Sequence, residues 1–267
     1  MRIAMLQMNV VHNKQENLNH ACDLIRQAAE KGADMAVLPE MFCCPYSNRY
    51  FRQYGEVEGG EGWQMLSRTA AELGIWVVGG SMPELEGDQV FNTSYVFDRA
   101  GRQAAKHRKA HLFDVDIEGG QRFRESDTLT PGGWATTFDT EFGRMGLCIC
   151  FDFRFQELAK RMADEGAQLI IVPAAFNMTT GPAHWELLFR QRAVDNQIFT
   201  LGVAPARNEG EEYVSYANSI LADPWGTVLE RAGIGEELLM AEVDFERVDA
   251  VRRQLPIRSA RRTELYQ

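Results

Sequence analysis

Met145-Gly-Leu-Cys-Ile-Cys150-Phe-Asp152 is the stretch on which the reading of this chain turns. The run from Met145 to Cys150 carries no charge and reads as a buried strand. Phe151-Asp152 closes it at a turn, just before the helix-like segment Arg154 to Glu165. Short apolar strands alternating with helical patterns are the units of an α/β fold, in which ligands bind at the carboxyl ends of the strands. Two further segments end in the same way. Ala36-Val-Leu-Pro-Glu40 delivers a carboxylate at a strand end, and Lys106-His-Arg-Lys109-Ala-His-Leu-Phe113 sets an ammonium among basic and aromatic neighbours. A nucleophile, a base and a cation gathered at such ends can together cleave a polarised carbonyl.

Outward from that stretch, the pattern is regular. Strand Ile3 to Met8 leads to a helix with Leu18, Cys22, Ile25 and Ala29 on one face, and then to strand Asp34 to Leu38. A long aromatic loop is expected from Pro39 to about Gly60. It is followed by a helix over Gly62 to Leu73 and strands at Ile75–Val78 and Val90–Phe97. The second half repeats the theme, with strands at 145–150, 168–172, 198–204, 217–222 and 238–243 and helices over 154–165, 184–196 and about 245–254. No Pro/Gly/Ser-rich linker divides the two halves, which predicts two layered sheets sharing one core in a single domain.

Composition narrows the class. The chain has 267 residues, 45% hydrophobic and 25% charged, which suits a globular protein with a sizeable core. Its net charge of -10 argues against a nucleic acid or an anionic membrane as partner. Met1-Arg2 runs directly into the first strand, so no signal peptide is expected, and no apolar run approaches the ~18 residues of a membrane span. The five cysteines are odd in number and irregularly spaced, which fits reduced thiols in the cytoplasm. The five histidines lack metal-ligand spacing, so no zinc site is expected.

A strand cysteine is usually core. Cys150 departs from that rule because polar Asp152 and Arg154 follow at once, and a helix starting nearby lowers a thiol pKa. Cys148 lies deeper along the strand and reads as core. Glu40 directly follows Leu38-Pro39, and partial burial beside another carboxylate would raise its pKa toward that of a general base. Leu112-Phe113 imply a partly dry setting for Lys109.

These residues, their contexts and their order resemble the nitrilase superfamily of carbon–nitrogen hydrolases, whose Glu-Lys-Cys triad reads in this chain order. Glu40 in Leu-Pro-Glu, Lys109 in His-Arg-Lys and Cys150 in Cys-Phe-Asp fall on the triad positions. Glu125, in Phe123-Arg-Glu-Ser-Asp-Thr-Leu, falls on the second glutamate that many members keep. The likeness spans essentially the whole chain and is closest to the ω-amidase branch. It is carried there by Pro45-Tyr46, Phe176-Asn-Met-Thr-Thr-Gly-Pro-Ala-His-Trp-Glu186, Arg192-Ala-Val-Asp-Asn-Gln197, Asn218-Ser219 and Asp223-Pro-Trp-Gly226. Met41-Phe-Cys-Cys44 and Cys148 depart from the familiar pattern.

The resemblance implies a four-layer αββα sandwich that pairs into an eight-layer homodimer, and hydrolysis through a thioester acyl-enzyme without metal or organic cofactor. Glu40 is then the base, and Lys109 with the backbone N–H of Phe151 the oxyanion donors. Glu125 orients Lys109 or the incoming water. The branch acts on the terminal amide of 2-oxoglutaramate or 2-oxosuccinamate, so a distal carboxylate must be held. Arg154 is the candidate for that carboxylate, because a guanidinium binds one bidentately. Tyr46, Phe176, Met178 and Thr179 are candidate pocket walls. His184-Trp-Glu186 reads as packing or capping at a helix start, Cys43-Cys44 as loop thiols, and the basic tail from about 255 to 267 as a segment crossing to a dimer partner. Three alternatives share these residues or this fold: a broader aliphatic amidase, a nitrilase with the same triad, and a binding protein that has lost catalysis. A papain-like protease is set aside, because its histidine and glutamine motifs are missing.

Overall fold

Every second residue of the first strand faces a different layer, and both sets are buried. Ile3 and Met5 pack toward the middle of the molecule, while Ala4 and Leu6 pack under a helix. That double burial is what a sheet covered on both faces requires, and the computed structural model, which describes residues 1–265, is built from two such sheets.

The first sheet contains β1 (Arg2–Gln7), β2 (Met35–Val37), β3 (Trp76–Val78), β4 (Met82–Glu86), β5 (Gln89–Phe97) and β6 (Gln103–Arg108). A hairpin of β7 (Asp114–Asp116) and β8 (Arg122–Arg124) stands apart. The second sheet contains β9 (Thr136–Thr140), β10 (Gly143–Leu147), β11 (Leu169–Pro173), β12 (Phe199–Val203), β13 (Ile220–Ala222) and β14 (Val228–Arg231). The last strand, β15 (Glu237–Glu242), returns to pair antiparallel with β1. The centre of each sheet is a parallel trio, β1-β2-β3 in one and β10-β11-β12 in the other.

Helices α1 (Lys14–Glu30) and α3 (Glu61–Leu73) cover the outer face of the first sheet, with the short α2 (Asn48–Tyr54) beside them. Helices α4 (Gln156–Asp164) and α5 (Gly181–Asn196) cover the second, and α6 (Glu246–Gln254) closes the chain. Three apolar layers result: one under α1 and α3, one under α4 and α5, and one between the sheets built from Met5, Val37, Val78, Leu147, Ile171 and Leu201. The αββα expectation holds.

Several local expectations need correction. The Pro39–Gly60 segment is not all loop, since Asn48–Tyr54 is helical and buries Phe51 and Tyr54. The strand expected at 145–150 stops at Leu147, and Cys150–Arg154 forms a 3₁₀ turn before α4. Ala217 and Asn218 have φ of +59° and +62°, so they belong to a turn and β13 begins only at Ile220. On α1, Ala28 and not Ala29 completes the buried face. Cys43 and Cys44 do lie in a turn between elements, but both are fully buried because the aromatic segment around them folds into the core. Apart from these corrections, Arg258 and Arg261 of the basic tail pair with Asp164 at the end of α4. Tyr266 and Gln267, the last two residues of the expected dimer-crossing tail, lie outside the described residues.

Candidate active site

The carboxyl ends of β2, β6, β10 and β11 meet where the two sheets face each other, and each delivers part of one cluster. After β2 the chain turns sharply at Pro39-Glu40-Met41, with Met41 at φ +52°. Ser81 staples that turn: its Oγ accepts the Met41 N–H at 3.0 Å, and its own N–H reaches the Pro39 carbonyl at 3.2 Å. Gly80 makes the approach possible, since a Cβ there would sit 2.1 Å from the Pro39 oxygen.

The turn points Glu40 inward, where it is wholly buried. Its Oε1 accepts from Lys109 Nζ and Asn92 Nδ2, both at 2.9 Å, and its Oε2 accepts the Ala175 N–H at 2.8 Å. Lys109 follows β6 directly and is also buried. Its ammonium sits between two carboxylates, 2.9 Å from Glu40 and 2.9 Å from Glu125. Glu125 further accepts the Tyr46 hydroxyl at 2.6 Å and the Phe113 N–H at 2.7 Å.

The cluster therefore holds two carboxylates against one ammonium in a dry setting. Burial raises the Glu125 carboxyl above its ordinary range, with Lys109 opposing and Glu40 adding to the rise. Burial acts to lower the Lys109 ammonium, but Glu125 and Glu40 more than reverse it, so the lysine stays charged.

Cys150 faces this cluster from the other sheet and is 4% exposed. Its φ of +47° is a left-handed conformation that costs a non-glycine residue roughly 1–2 kcal/mol. Strain of this kind gathers at functional positions. Burial drives the thiol pKa well above its ordinary value, the Glu40 carboxylate pushes it further, and Lys109 only partly opposes them. A neutral thiol beside a buried carboxylate is a nucleophile that must hand its proton to that carboxylate as it attacks. Phe151 follows, and its N–H is bonded to no other described residue, as an oxyanion donor should be.

Arg154 ends the same 3₁₀ turn. Its guanidinium lies 4.5 Å over the Phe176 ring and 3.1 Å from His184 Nδ1. Burial lowers its pKa, Cys150 opposes that shift, and no carboxylate forms an ion pair with it among the described residues. Phe176 is thus a buried platform for the arginine. His184 contacts that arginine, and Trp185 is core, donating to the Asn218 carbonyl at 2.7 Å.

Met178 and Thr179 lie at the surface. Asn177 Oδ1 accepts the Thr180 N–H at 2.8 Å and so turns the chain into α5, leaving residues 178 and 179 exposed on the outside of the bend. Tyr46 does reach the cluster, through its hydroxyl.

Three contributors were missed. Tyr213 lies on the loop between β12 and β13, donates to the Ala175 carbonyl and packs its ring 4.4 Å from that of Tyr46. With Glu40, Tyr46 and Ala175 it lines a cavity over the cluster. Its sequence surroundings, Asn208-Glu-Gly-Glu-Glu-Tyr213, look like a solvent loop and give no signal. Asn92 was hidden inside the strand pattern of β5. Asp152 is buried and accepts from His107 Nε2 at 2.9 Å and His111 Nδ1 at 2.8 Å. A partial signal did exist: His107 and His111 flank Lys109 two residues away on either side.

Burial acts to raise the Asp152 carboxyl, but hydrogen bonds from His107 and His111 hold it well below the usual carboxylate range. The stability it contributes is fully present above the unfolded value near ~3.9 and is lost as pH falls further. The urea midpoint of the wild type is therefore expected to drop below about pH 4, and its lead over Asp152→Asn to shrink on the same descent. A lead that stays constant with pH would contradict an ionised Asp152.

The assembly invites comparison with known hydrolases. The family model for carbon–nitrogen hydrolases matches residues 2–253. The chain belongs to that family. This carbon–nitrogen hydrolase is 47% identical over 265 residues to omega-amidase NIT2-B of Xenopus laevis, covering 99% of the chain and 96% of the relative. It is 41% identical to Saccharomyces cerevisiae Nit3, a member of branch 10 of the nitrilase superfamily, with a TM-score of 0.91 over 98% of this chain and 96% of that one. A mutant of the amidase from Nesterenkonia sp. AN1, 26% identical with a TM-score of 0.79, covers 100% of this chain and 98% of that one. That protein carries the product of Michael addition of acrylamide at its active-site cysteine. No helix among the described residues is long and apolar enough to cross a membrane.

Proposed function

We propose that this hydrolase is an ω-amidase, releasing ammonia from the terminal amide of a small dicarboxylate monoamide of the 2-oxoglutaramate or 2-oxosuccinamate type. The observation that carries the substrate class is Arg154: a largely enclosed guanidinium on the nucleophile's own turn, stacked on Phe176 and without an acidic partner among the described residues. Partly buried cations are normally paired, so one left open beside a nucleophile suits an anionic substrate. The relatedness to the Xenopus omega-amidase supports the same reading.

The chemistry follows from the cluster. Cys150 Sγ attacks the amide carbon as its proton passes to Glu40. Lys109 Nζ and the Phe151 N–H stabilise the oxyanion, each such donor being worth roughly 3–4 kcal/mol of barrier. The C–N bond breaks as Glu40 protonates the departing ammonia, leaving a thioester. Water then adds to the thioester carbon and gives its proton to Glu40, and the C–S bond breaks with the proton returned to sulfur. Glu125 and Tyr46 hold the ammonium in place throughout. Neither metal nor cofactor enters this route.

Ammonia release from 2-oxoglutaramate, beside glutamine, an aliphatic amide and a nitrile, tests the reading. Preference for the keto-amide supports it. Release mainly from the aliphatic amide or the nitrile replaces the substrate and keeps the chemistry, and silence on all four from folded protein favours a binding protein on this fold. Arg154→Gln is expected to raise KM for the keto-amide about 100-fold, the loss that follows from leaving a buried charge unpaired. KM for an uncharged aliphatic amide should stay near its wild-type value, and an equal rise for both amides would take the carboxylate away from Arg154.

A cytoplasmic homodimer belongs to the same proposal. It is supported by five free cysteines and by the exposed apolar side chains Leu187, Trp225 and Leu255.

A further inference from the structure

We infer that Asp152 is a positioning residue for catalysis: a clamp that fixes the Lys109 ammonium relative to the Cys150 turn and so sets the geometry of the oxyanion donors. The inference rests on amide hydrolysis at Cys150, the reading proposed above.

The two parts it joins lie on different sheets. Residues 106–113, carrying Lys109, leave β6 of the first sheet, and residues 148–155, carrying Cys150 and Phe151, leave β10 of the second. The Lys109 ammonium bonds only within its own side of the site, to Glu40, Glu125 and Tyr46, while its backbone N–H donates to the Asn92 carbonyl and its carbonyl accepts the Gly132 N–H. Among the described residues, every hydrogen bond between the two segments is made by the Asp152 carboxylate. It accepts His107 Nε2 at 2.9 Å, His111 Nδ1 at 2.8 Å, and the backbone N–H groups of His111 at 2.8 Å and Ala110 at 3.1 Å. These donors bracket Lys109 on both sides.

The same carboxylate also holds the nucleophile's backbone. Its Oδ2 accepts the Ile149 N–H at 3.1 Å, while the Asp152 N–H returns to the Ile149 carbonyl at 3.0 Å. These reciprocal bonds straddle Cys150 and offset its left-handed strain. Asp152 touches neither Lys109 Nζ nor the cavity, so it acts through others. Rings complete the seam, with His111 stacked on Phe155 at 3.8 Å and Phe113 edge-on to Phe151 at 5.2 Å.

An oxyanion forms when the thiol attacks an amide, but not when it displaces iodide from iodoacetamide. That difference separates a clamp on the oxyanion donors from general damage. For Asp152→Asn, kcat for the keto-amide is expected to fall about 100-fold, the scale of a misplacement near 1 Å, with KM close to wild type. The iodoacetamide alkylation rate of Cys150 should stay near wild type, because Glu40 and the thiol remain paired. A parallel fall of kcat and alkylation would overturn the inference, since Asp152 would then serve the turn alone; an unchanged kcat would overturn it too. If Asp152→Asn fails to fold, His111→Phe carries the test, because it keeps the stack on Phe155 and removes one donor to the clamp. It should show the same split with a smaller loss. Wild-type ammonia release, measured first, tests the amidase reading by itself, and the variants are read only as ratios to it.

Discussion

Replacing Cys150 with alanine is expected to leave a folded protein whose ammonia release falls by about 10⁴-fold or more, the scale seen when a covalent nucleophile is removed. Folding should survive because the substitution deletes one sulfur from a site walled by other groups. Alanine also carries a Cβ, so it inherits the left-handed strain at φ +47° without adding to it. The Asp152–Ile149 bonds that hold the turn involve no atom of residue 150. Ammonia release and a thermal melt on the same sample settle the matter. Turnover near the wild-type level would remove Cys150 as the nucleophile, and with it the acyl-enzyme route.

Lys109→Met should be damaging in two separable ways. The oxyanion loses its ammonium, which is expected to lower kcat about 10³-fold. The fold loses the only cation that, among the described residues, sits between Glu40 and Glu125, and stranding buried charges costs about 3–5 kcal/mol. The sign with pH follows. Burial already raises the Glu125 carboxyl against the opposing ammonium, and without that ammonium the rise is unopposed, so the folded state binds more protons and stability declines as pH rises. Denaturant melts of this variant are therefore expected to improve on acidification from neutrality, until Asp152 begins to protonate. Adding Glu125→Gln should recover much of the stability at neutral pH and none of the activity. A single variant as stable as wild type at every pH would show that the two carboxylates do not depend on the lysine.

How much of this was legible in the sequence follows from what each residue does. Lys109 follows the polar strand Gln103–Arg108 and was legible only through its basic and aromatic neighbours and the family resemblance. Glu40 and Cys150 were found because each ends an apolar strand, where apolar residues give way abruptly to polar ones. The sandwich was legible for the same reason, since the strands of both central trios read as apolar runs. Asn92 and Tyr213 could not be found this way. One sits inside a strand and the other in a polar loop, and both matter only because distant segments fold against them. Met178 and Thr179 follow Phe176 in sequence, but the Asn177 turn into the next helix leaves both at the surface. The ionisation of the Cys150 thiol was not legible on a similar ground. A nearby helix start was weighed, but the burial that outweighs it depends on the other sheet closing over the site.

That division between sheets has a consequence for how the enzyme fails. Glu40, Lys109 and Asn92 stand on one slab of the molecule, while Cys150, Arg154 and Ala175 stand on the other, with a greasy plane of Met5, Val37, Leu147 and Ile171 between them. Each slab bears half of the chemistry, and neither half is reactive alone. A slip of one slab along the other, too small to disturb any helix or strand, would part the thiol from its carboxylate. Catalysis is thus a gauge of alignment between the two halves, and heating should silence it before the backbone signal moves.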